Sequence, residues 1–257
     1  MIITDLDKTL LNNQKEITEY TKNVFQKVKN MDIKIVFATA RPLRNTRELF
    51  CSIKPDALIC HCGAIGYIDD KPIFENGIET NVAKDIINDI LKKYPKINYG
   101  LEVEDIFYTN FDTKVYWDNV PYENISKKQF LENTTYKIII GLEYFDNIID
   151  LEKYLKKNLY LETMDGKIAL IMNKKATKWN GIKKLMKYYN LIKEDLLAFG
   201  DDYSDIEMIE NCGIGVAMEN GIKEIKNKAK YICGNNEEDG VAKWIDSKII
   251  KKSQNGI

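Results

Sequence analysis

Apolar positions along the chain switch between two periods, and the switches divide it into three stretches. Ile2-Ile3-Thr4 is a short apolar strand that runs straight into Asp5. Ile17, Tyr20, Val24, Val28 and Met31 then recur at the spacing of one helix face. Residues 34–39 read as a continuous, β-branched-rich strand, 44–50 as a helix behind Pro42, and 57–61 as a third strand. Unbroken apolar strands separated by amphipathic helices predict a parallel sheet covered on both faces.

Residues 81–173 change character. A helix over 81–94 precedes short strands at 98–103, 106–110, 136–141, 159–164 and 167–172, with a helix over 144–157 among them. Asp165-Gly166 supplies a two-residue hairpin turn. From 178 the first pattern returns: a helix over 178–190 with Ile182, Leu185, Met186 and Tyr189 inward, then a strand at 196–199 ending in Gly200-Asp201. A helix over 204–210 and strands at 213–217 and 231–233 complete it. The pattern predicts one α/β core domain, 1–80 with 174–257, interrupted by an α+β insert at 81–173.

Composition then removes several functions. At 257 residues and net charge −1, the chain lacks the basic footprint of a nucleic-acid binder. Its apolar runs are too short to span a membrane, and Asp5 and Asp7 leave no room for a signal peptide. Five cysteines, an odd number in a chain this large, fit a reducing cytoplasm. His61 is the one histidine, so a His-rich zinc site is excluded. Three of the 38 basic side chains are arginines, Arg41, Arg44 and Arg47, all in one seven-residue stretch. That places every bidentate-capable guanidinium either on an ordinary helix surface or near an anion site.

Four strand candidates end in residues suited to phosphate or metal. They lead into Asp5-Leu6-Asp7-Lys8-Thr9, Thr39-Ala40-Arg41, Gly200-Asp201-Asp202-Tyr203-Ser204-Asp205 and Asn235-Asn236. In an open parallel sheet the ligand crevice lies beyond the carboxyl ends of the strands, so all four fall on one rim. Asp5 and Asp7 with Asp201 form an acidic cluster, and oxygen donors of that hardness suit Mg²⁺. Solvated loop and cap carboxylates are the plain alternative; three converging acids without a cation would repel one another strongly.

Asp5-Leu6-Asp7-Lys8-Thr9-Leu10, Ala38-Thr39-Ala40-Arg41-Pro42, Lys178 and Gly200-Asp201-Asp202-Tyr203-Ser204-Asp205-Ile206-Glu207-Met208 resemble the four motifs of the haloacid dehalogenase (HAD) superfamily. The stretch Asn236-Glu237-Glu238-Asp239-Gly240-Val241-Ala242 and an insert between the second and third motifs resemble its Cof-type (subclass IIB) phosphatases. The resemblance implies a Rossmann-like core with a cap domain. It implies a Mg²⁺-dependent phosphatase that hydrolyses small phosphate monoesters, sugar phosphates or related metabolites, through an aspartyl-phosphate. On that likeness Asp5 is the nucleophile, Asp7 the general acid and base, and Lys178 the ammonium facing the phosphate. Thr39, Ala40, Arg41 and Asn236 would contact substrate. Asp5, the Asp7 backbone carbonyl, Asp201 and Asp205 would serve the metal. A carboxylate nucleophile is ionised at neutral pH without a helper base, so the shortage of histidine is no obstacle.

The same residues admit a phosphotransferase or mutase, and a non-catalytic regulator that binds phosphorylated metabolites. The expected partner is a small phosphate ester, with no nucleic acid or membrane, on a monomer or weak homo-oligomer. Four positions depart from the family pattern: Lys8 and Ala40 stand where glycine is usual, Ser204 where asparagine is, and His61-Cys62-Gly63-Ala64 replaces Asn-Gly-Ala. Ser204 with Glu207 reads as a helix capping box. Cys60-His61-Cys62 reads as a buried strand end, because successive side chains on a strand face opposite ways. Phe107, Tyr108, Phe111, Tyr116 and Trp117 read as the insert's own core, some of them available to a substrate pocket.

Overall fold

The computed structural model describes residues 1–117, 120–125, 133–145 and 147–254. The chain forms two compact units, Met1–Phe74 with Thr177–Ile257, and Glu75–Ala176.

The strands are β1 (Ile2–Thr4), β2 (Ile35–Ala38), β3 (Ala57–Cys60), β4 (Ile65–Ile68), β5 (Lys71–Glu75), β6 (Tyr99–Val103), β7 (Ile106–Thr109), β8 (Glu123–Asn124), β9 (Thr135–Gly141), β10 (Leu159–Met164), β11 (Ile168–Asn173), β12 (Leu197–Gly200), β13 (Ile214–Met218) and β14 (Tyr231–Cys233). The helices are α1 (Glu19–Asn30), α2 (Thr80–Lys93), α3 (Ile149–Glu152), α4 (Lys178–Tyr189), α5 (Ile206–Asn211), α6 (Lys223–Lys228), α7 (Gly240–Ile245) and α8 (Lys251–Gln254).

The first unit is built on an eight-stranded sheet in the order β14-β13-β12-β1-β2-β3-β4-β5. From β14 to β3 every pairing is parallel; β4 joins antiparallel to β3. Both faces are covered, which is why these strands carry no polar alternation. Ile3, Val36 and Ala198 pack with Trp179, Ile182 and Leu185 of α4 and Met208 and Ile209 of α5. Phe199, the next residue on β12, meets Trp244 of α7 edge to face at 5.5 Å. The register sets the site: Thr4 lies level with Phe37 on one neighbour and Phe199 on the other, so the residues that follow leave the sheet side by side.

The second unit has a six-stranded sheet, β10-β11-β9-β6-β7-β8, antiparallel except between β7 and β8. One core gathers Ala83, Ile86, Ile87 and Ile90 of α2 against Leu101, Ile138, Ile140 and Ile171. Asp165 and Gly166 both take positive φ in the β10–β11 turn, as a tight hairpin requires. Phe107 and Phe111 are buried with Ile139 and Ile168 in a small second core, with Tyr116 and Trp117 packed on it.

Three local readings need correction. The helix expected over 144–157 is α3 alone, and residue 146 lies outside the described residues. Asn147 Oδ1 accepts the Ile149 N–H at 3.0 Å at its start, and Tyr154 and Leu155 donate three residues back instead of four, which tightens the chain into turns. Residues 44–50 form two 3₁₀ turns, Leu43–Asn45 and Arg47–Cys51. The box expected of Ser204 and Glu207 is made by Asp202 and Asp205 around the turn Tyr203–Asp205.

Candidate active site

Asp5 leaves β1 with its N–H donated to the Phe199 carbonyl at 3.1 Å, which fixes it against β12. The turn Leu6–Leu10 follows, with Lys8 at φ 59. A glycine adopts that backbone without strain, which accounts for the residue usual there, and Lys8 tolerates it at a modest cost. On the other side of β1, β2 delivers Thr39, Ala40 and Arg41. Thr39 is buried, and its Oγ1 accepts the Arg41 N–H at 3.1 Å; Ala40 is exposed.

Lys178 is the first residue of α4, whose N-terminus is capped by Thr177 Oγ1 accepting from Asn180. The lysine is 2% exposed, and its Nζ donates to Asp5 Oδ1 and to Asp205 Oδ1, each at 2.6 Å. Asp205 is held in turn: its Oδ2 accepts the N–H groups of Asp201 and Asp202 at 3.1 and 3.2 Å. Asp201 Oδ1 accepts from Thr9 Oγ1 at 2.7 Å. Asp5, Asp201 and Asp205 are all buried and each offers an oxygen within 4.8 Å of the others.

This centre carries three buried carboxylates against one ammonium. Burial pushes the Asp5 carboxyl up to about 8, with the Asp205 and Asp201 charges adding to it against the pull of Lys178. Burial likewise raises Asp201 to about 6, opposed by the Thr9 hydroxyl and reinforced by Asp205. Burial alone would lower the Lys178 ammonium, but Asp205 and Asp5 outweigh it and hold it above its ordinary value. The residues therefore fit a divalent cation: hard oxygen donors, convergent, and short of positive charge.

Sequence reasoning placed Asp5, Lys178, Asp201 and Asp205 here, and the structure brings all four together. The Asp7 carboxylate is not among them. Both its oxygens accept from Arg41, from Nε at 2.7 Å and Nη2 at 2.6 Å. Asn236 stands after β14, three strands from β1. Its side chain donates to the Leu11 carbonyl and Asn13 Oδ1, and its N–H to Asn220 Oδ1, so it braces the loops. Arg47 pairs with Asp70 at 3.9 Å on the surface.

Two contributors escaped the sequence reading. Thr9 was visible as the last polar residue of Asp-Leu-Asp-Lys-Thr, but its hydroxyl's target, Asp201, follows the adjacent strand β12 and is 192 residues away in the chain. Gly63 has φ +109, and a Cβ there would sit 2.1 Å from the Thr177 carbonyl oxygen, at the start of the helix that carries Lys178. Gly63→Ala should cost about 1–3 kcal/mol through the positive φ alone and lower turnover roughly tenfold or more by displacing Lys178. Thermal melting and steady-state rates check this; a variant with wild-type values for both contradicts it.

A mainly parallel sheet therefore gathers Asp5, Lys178, Asp201 and Asp205 beyond the carboxyl ends of its strands. The sequence model of the haloacid dehalogenase-like hydrolases matches residues 2–245, and the chain belongs to that family. The chain is 29% identical over 260 residues to the 5-amino-6-(5-phospho-D-ribitylamino)uracil phosphatase YitU of Bacillus subtilis, covering 95% of this chain and 96% of that one. The crystal structure of TM0651 from Thermotoga maritima superposes with a TM-score of 0.86 at 26% identity, over 96% of both chains. The HAD subclass IIB sugar phosphatase BT4131 shares the fold, with a TM-score of 0.78 at 21% identity over 96% of this chain and 97% of that one. No helix among the described residues is long and apolar enough to cross a membrane.

Proposed function

We propose that the protein is a Mg²⁺-dependent phosphatase that cleaves small phosphate monoesters, sugar phosphates or related metabolites, through an aspartyl-phosphate on Asp5. The observation that carries this reading is Lys178, buried and bridging Asp5 and Asp205 beside Asp201. Asp5 Oδ1 is taken by Lys178, so the second oxygen attacks phosphorus. The bond from Asp5 to phosphorus forms as the ester P–O bond breaks, and Asp7 gives its proton to the departing alkoxide. Water then attacks phosphorus, Asp7 takes its proton, and the bond to Asp5 breaks to release phosphate. Lys178 holds Asp5 in place and lessens repulsion between carboxylate and phosphate dianion. Thr39 and Ala40 bind the phosphate oxygens. Asp5, Asp201, Asp205 and the Asp7 carbonyl would hold Mg²⁺, which when bound neutralises charge on the phosphoryl group.

The insert selects the organic group as a cap does. YitU acts on a phosphate carried by a ribityl chain, which supports a polyhydroxylated phosphate ester as substrate here. Five cysteines, an odd number in a chain this large, support a cytoplasmic location. Release of inorganic phosphate from a panel of phosphorylated metabolites, with Mg²⁺ and with EDTA, tests the reading. Hydrolysis that Mg²⁺ restores after chelation is expected; transfer to added alcohols without net phosphate release would favour the phosphotransferase.

The metal also has a readout that needs no substrate. In the metal-free protein, Asp201 and Asp5 keep their protons to about pH 6 and 8, above the ordinary 3.8. Their contribution to stability is full below about pH 4 and is lost as pH rises through those values. Mg²⁺ must displace the same protons, so its stabilisation grows from pH 5.5 to 8.5. It reaches about 2.7 kcal/mol at a hundredfold excess over Kd. Melting with and without Mg²⁺ across that range checks this; a shift independent of pH contradicts it.

A further inference from the structure

The three arginines stand together in the sequence, and Arg41 reaches the catalytic motif. Its target is a carboxylate. Nε donates to Asp7 Oδ2 and Nη2 to Asp7 Oδ1, a fork-to-fork pair at 2.7 and 2.6 Å. The guanidinium is anchored at its other end, with Nη1 donating to the Asn45 carbonyl at 3.1 Å. The backbone is pinned on both sides: the Arg41 N–H goes to Thr39 Oγ1, and its carbonyl accepts from His61 at 3.1 Å. The arginine side chain is 13% exposed while that of Asp7 is 47% exposed, so the cation is the fixed partner and the acid the accessible one.

This geometry separates two roles that an arginine in the second motif can have. A ligand for the substrate dianion presents its planar fork to incoming oxygens. Here the fork is filled by Asp7, and a third N–H is spent on Asn45. We infer that Arg41 is a positioning residue: it fixes the plane and direction of the Asp7 carboxyl for proton transfer, and does not bind the substrate phosphate. The inference rests on the proposed role of Asp7 as acid and base. It also explains why guanidinium is placed here in a chain that otherwise uses lysine, since an ammonium cannot hold both carboxylate oxygens in one plane.

The two roles differ in how a loss depends on the leaving group. An alkoxide needs a proton to depart, whereas 4-nitrophenolate departs readily without one, so misplacing the acid penalises alkyl phosphates selectively. The value of kcat/KM reports only steps up to the first irreversible one, here the breaking of the ester bond. The test therefore measures kcat/KM for an alkyl phosphate and for 4-nitrophenyl phosphate with wild-type, Arg41→Ala, Arg41→Lys and Asp7→Asn proteins, together with inhibition by inorganic phosphate. Arg41→Ala should lose at least tenfold more on the alkyl ester than on the aryl ester, with Arg41→Lys losing less. Adding Arg41→Ala to Asp7→Asn should add little, because the arginine acts through the acid. The inhibition constant of inorganic phosphate should stay near its wild-type value in Arg41→Ala.

Equal losses on both esters, with weaker inhibition by phosphate, would make Arg41 a substrate ligand and overturn the inference while leaving the phosphatase reading intact. If Asp7→Asn itself shows no leaving-group selectivity, Asp7 is not the proton donor and the inference falls. A wild-type protein that hydrolyses neither ester contradicts the proposed function, and the inference with it. Arg41→Lys keeps the charge and tests the same point if Arg41→Ala fails to fold.

Discussion

Asp5→Asn is expected to lower kcat at least about 10⁴-fold on an unactivated phosphate ester, while the protein stays folded. The amide is close in shape to the carboxylate but cannot form an acyl phosphate. Folding tolerates the change because the substitution removes a negative charge from a buried place that already disfavours it: Asp5 is pushed up to about 8 there. Lys178 keeps Asp205 as its second partner at 2.6 Å. The variant should melt within a few degrees of the wild type in the absence of Mg²⁺. It should also lose much of the Mg²⁺-dependent shift, since one of three convergent carboxylates is gone. Turnover within tenfold of wild type would remove Asp5 from the nucleophile's role.

Lys178→Met should be the most destabilising change at the site. Methionine fills a similar volume but leaves Asp5 and Asp205 buried without their cation. Stripping one partner from a buried ionic cluster costs about 3–5 kcal/mol, a drop in melting temperature of roughly 10 °C for a chain of this size. The sign with pH follows from the carboxyls. They lose their protons as pH rises, so the deficit is largest near pH 8.5 and shrinks toward pH 5, where Asp5 is protonated in the folded state. Activity should fall about 10³-fold from the lost electrostatic stabilisation. Melting curves at the two pH values decide the stability claim: equal deficits at both, or none, would contradict a role for Lys178 in balancing charge.

The core was legible in the sequence because its strands are unbroken apolar runs ending in polar residues. For β1 and β14 the predicted ends coincide with the observed ones, and β2, β3 and β12 differ by a residue or so. The hairpin of β4 and β5 was not legible. Its turn is Asp69-Asp70, both at positive φ, where a sequence reading looks for asparagine or glycine. In the same way, α3 is shorter than its apolar spacing suggests, because side-chain capping and three-residue hydrogen bonds took the place of helical ones. At the site, the strand-end clusters pointed to Asp5, Asp201 and Asp205, since the topology of a parallel sheet turns chain position into a common rim, whereas Lys178 was found only through the motif resemblance. What spacing could not convey is which side chain holds which. That Arg41 grips Asp7, that Asn236 braces the Leu11 loop, and that Gly63 clears room for Thr177 depend on distances across loops.

The account turns on a covalent bond to one residue. Acid quenching during turnover of a good substrate with Mg²⁺, followed by borohydride reduction, converts an acyl phosphate to the corresponding alcohol. Peptide mass spectrometry then reads which residue carried it. The account predicts homoserine at position 5 and at no other aspartate, absent without substrate. Steady release of phosphate with no reduced residue, or with reduction at Asp7, Asp201 or Asp205 instead, would contradict it.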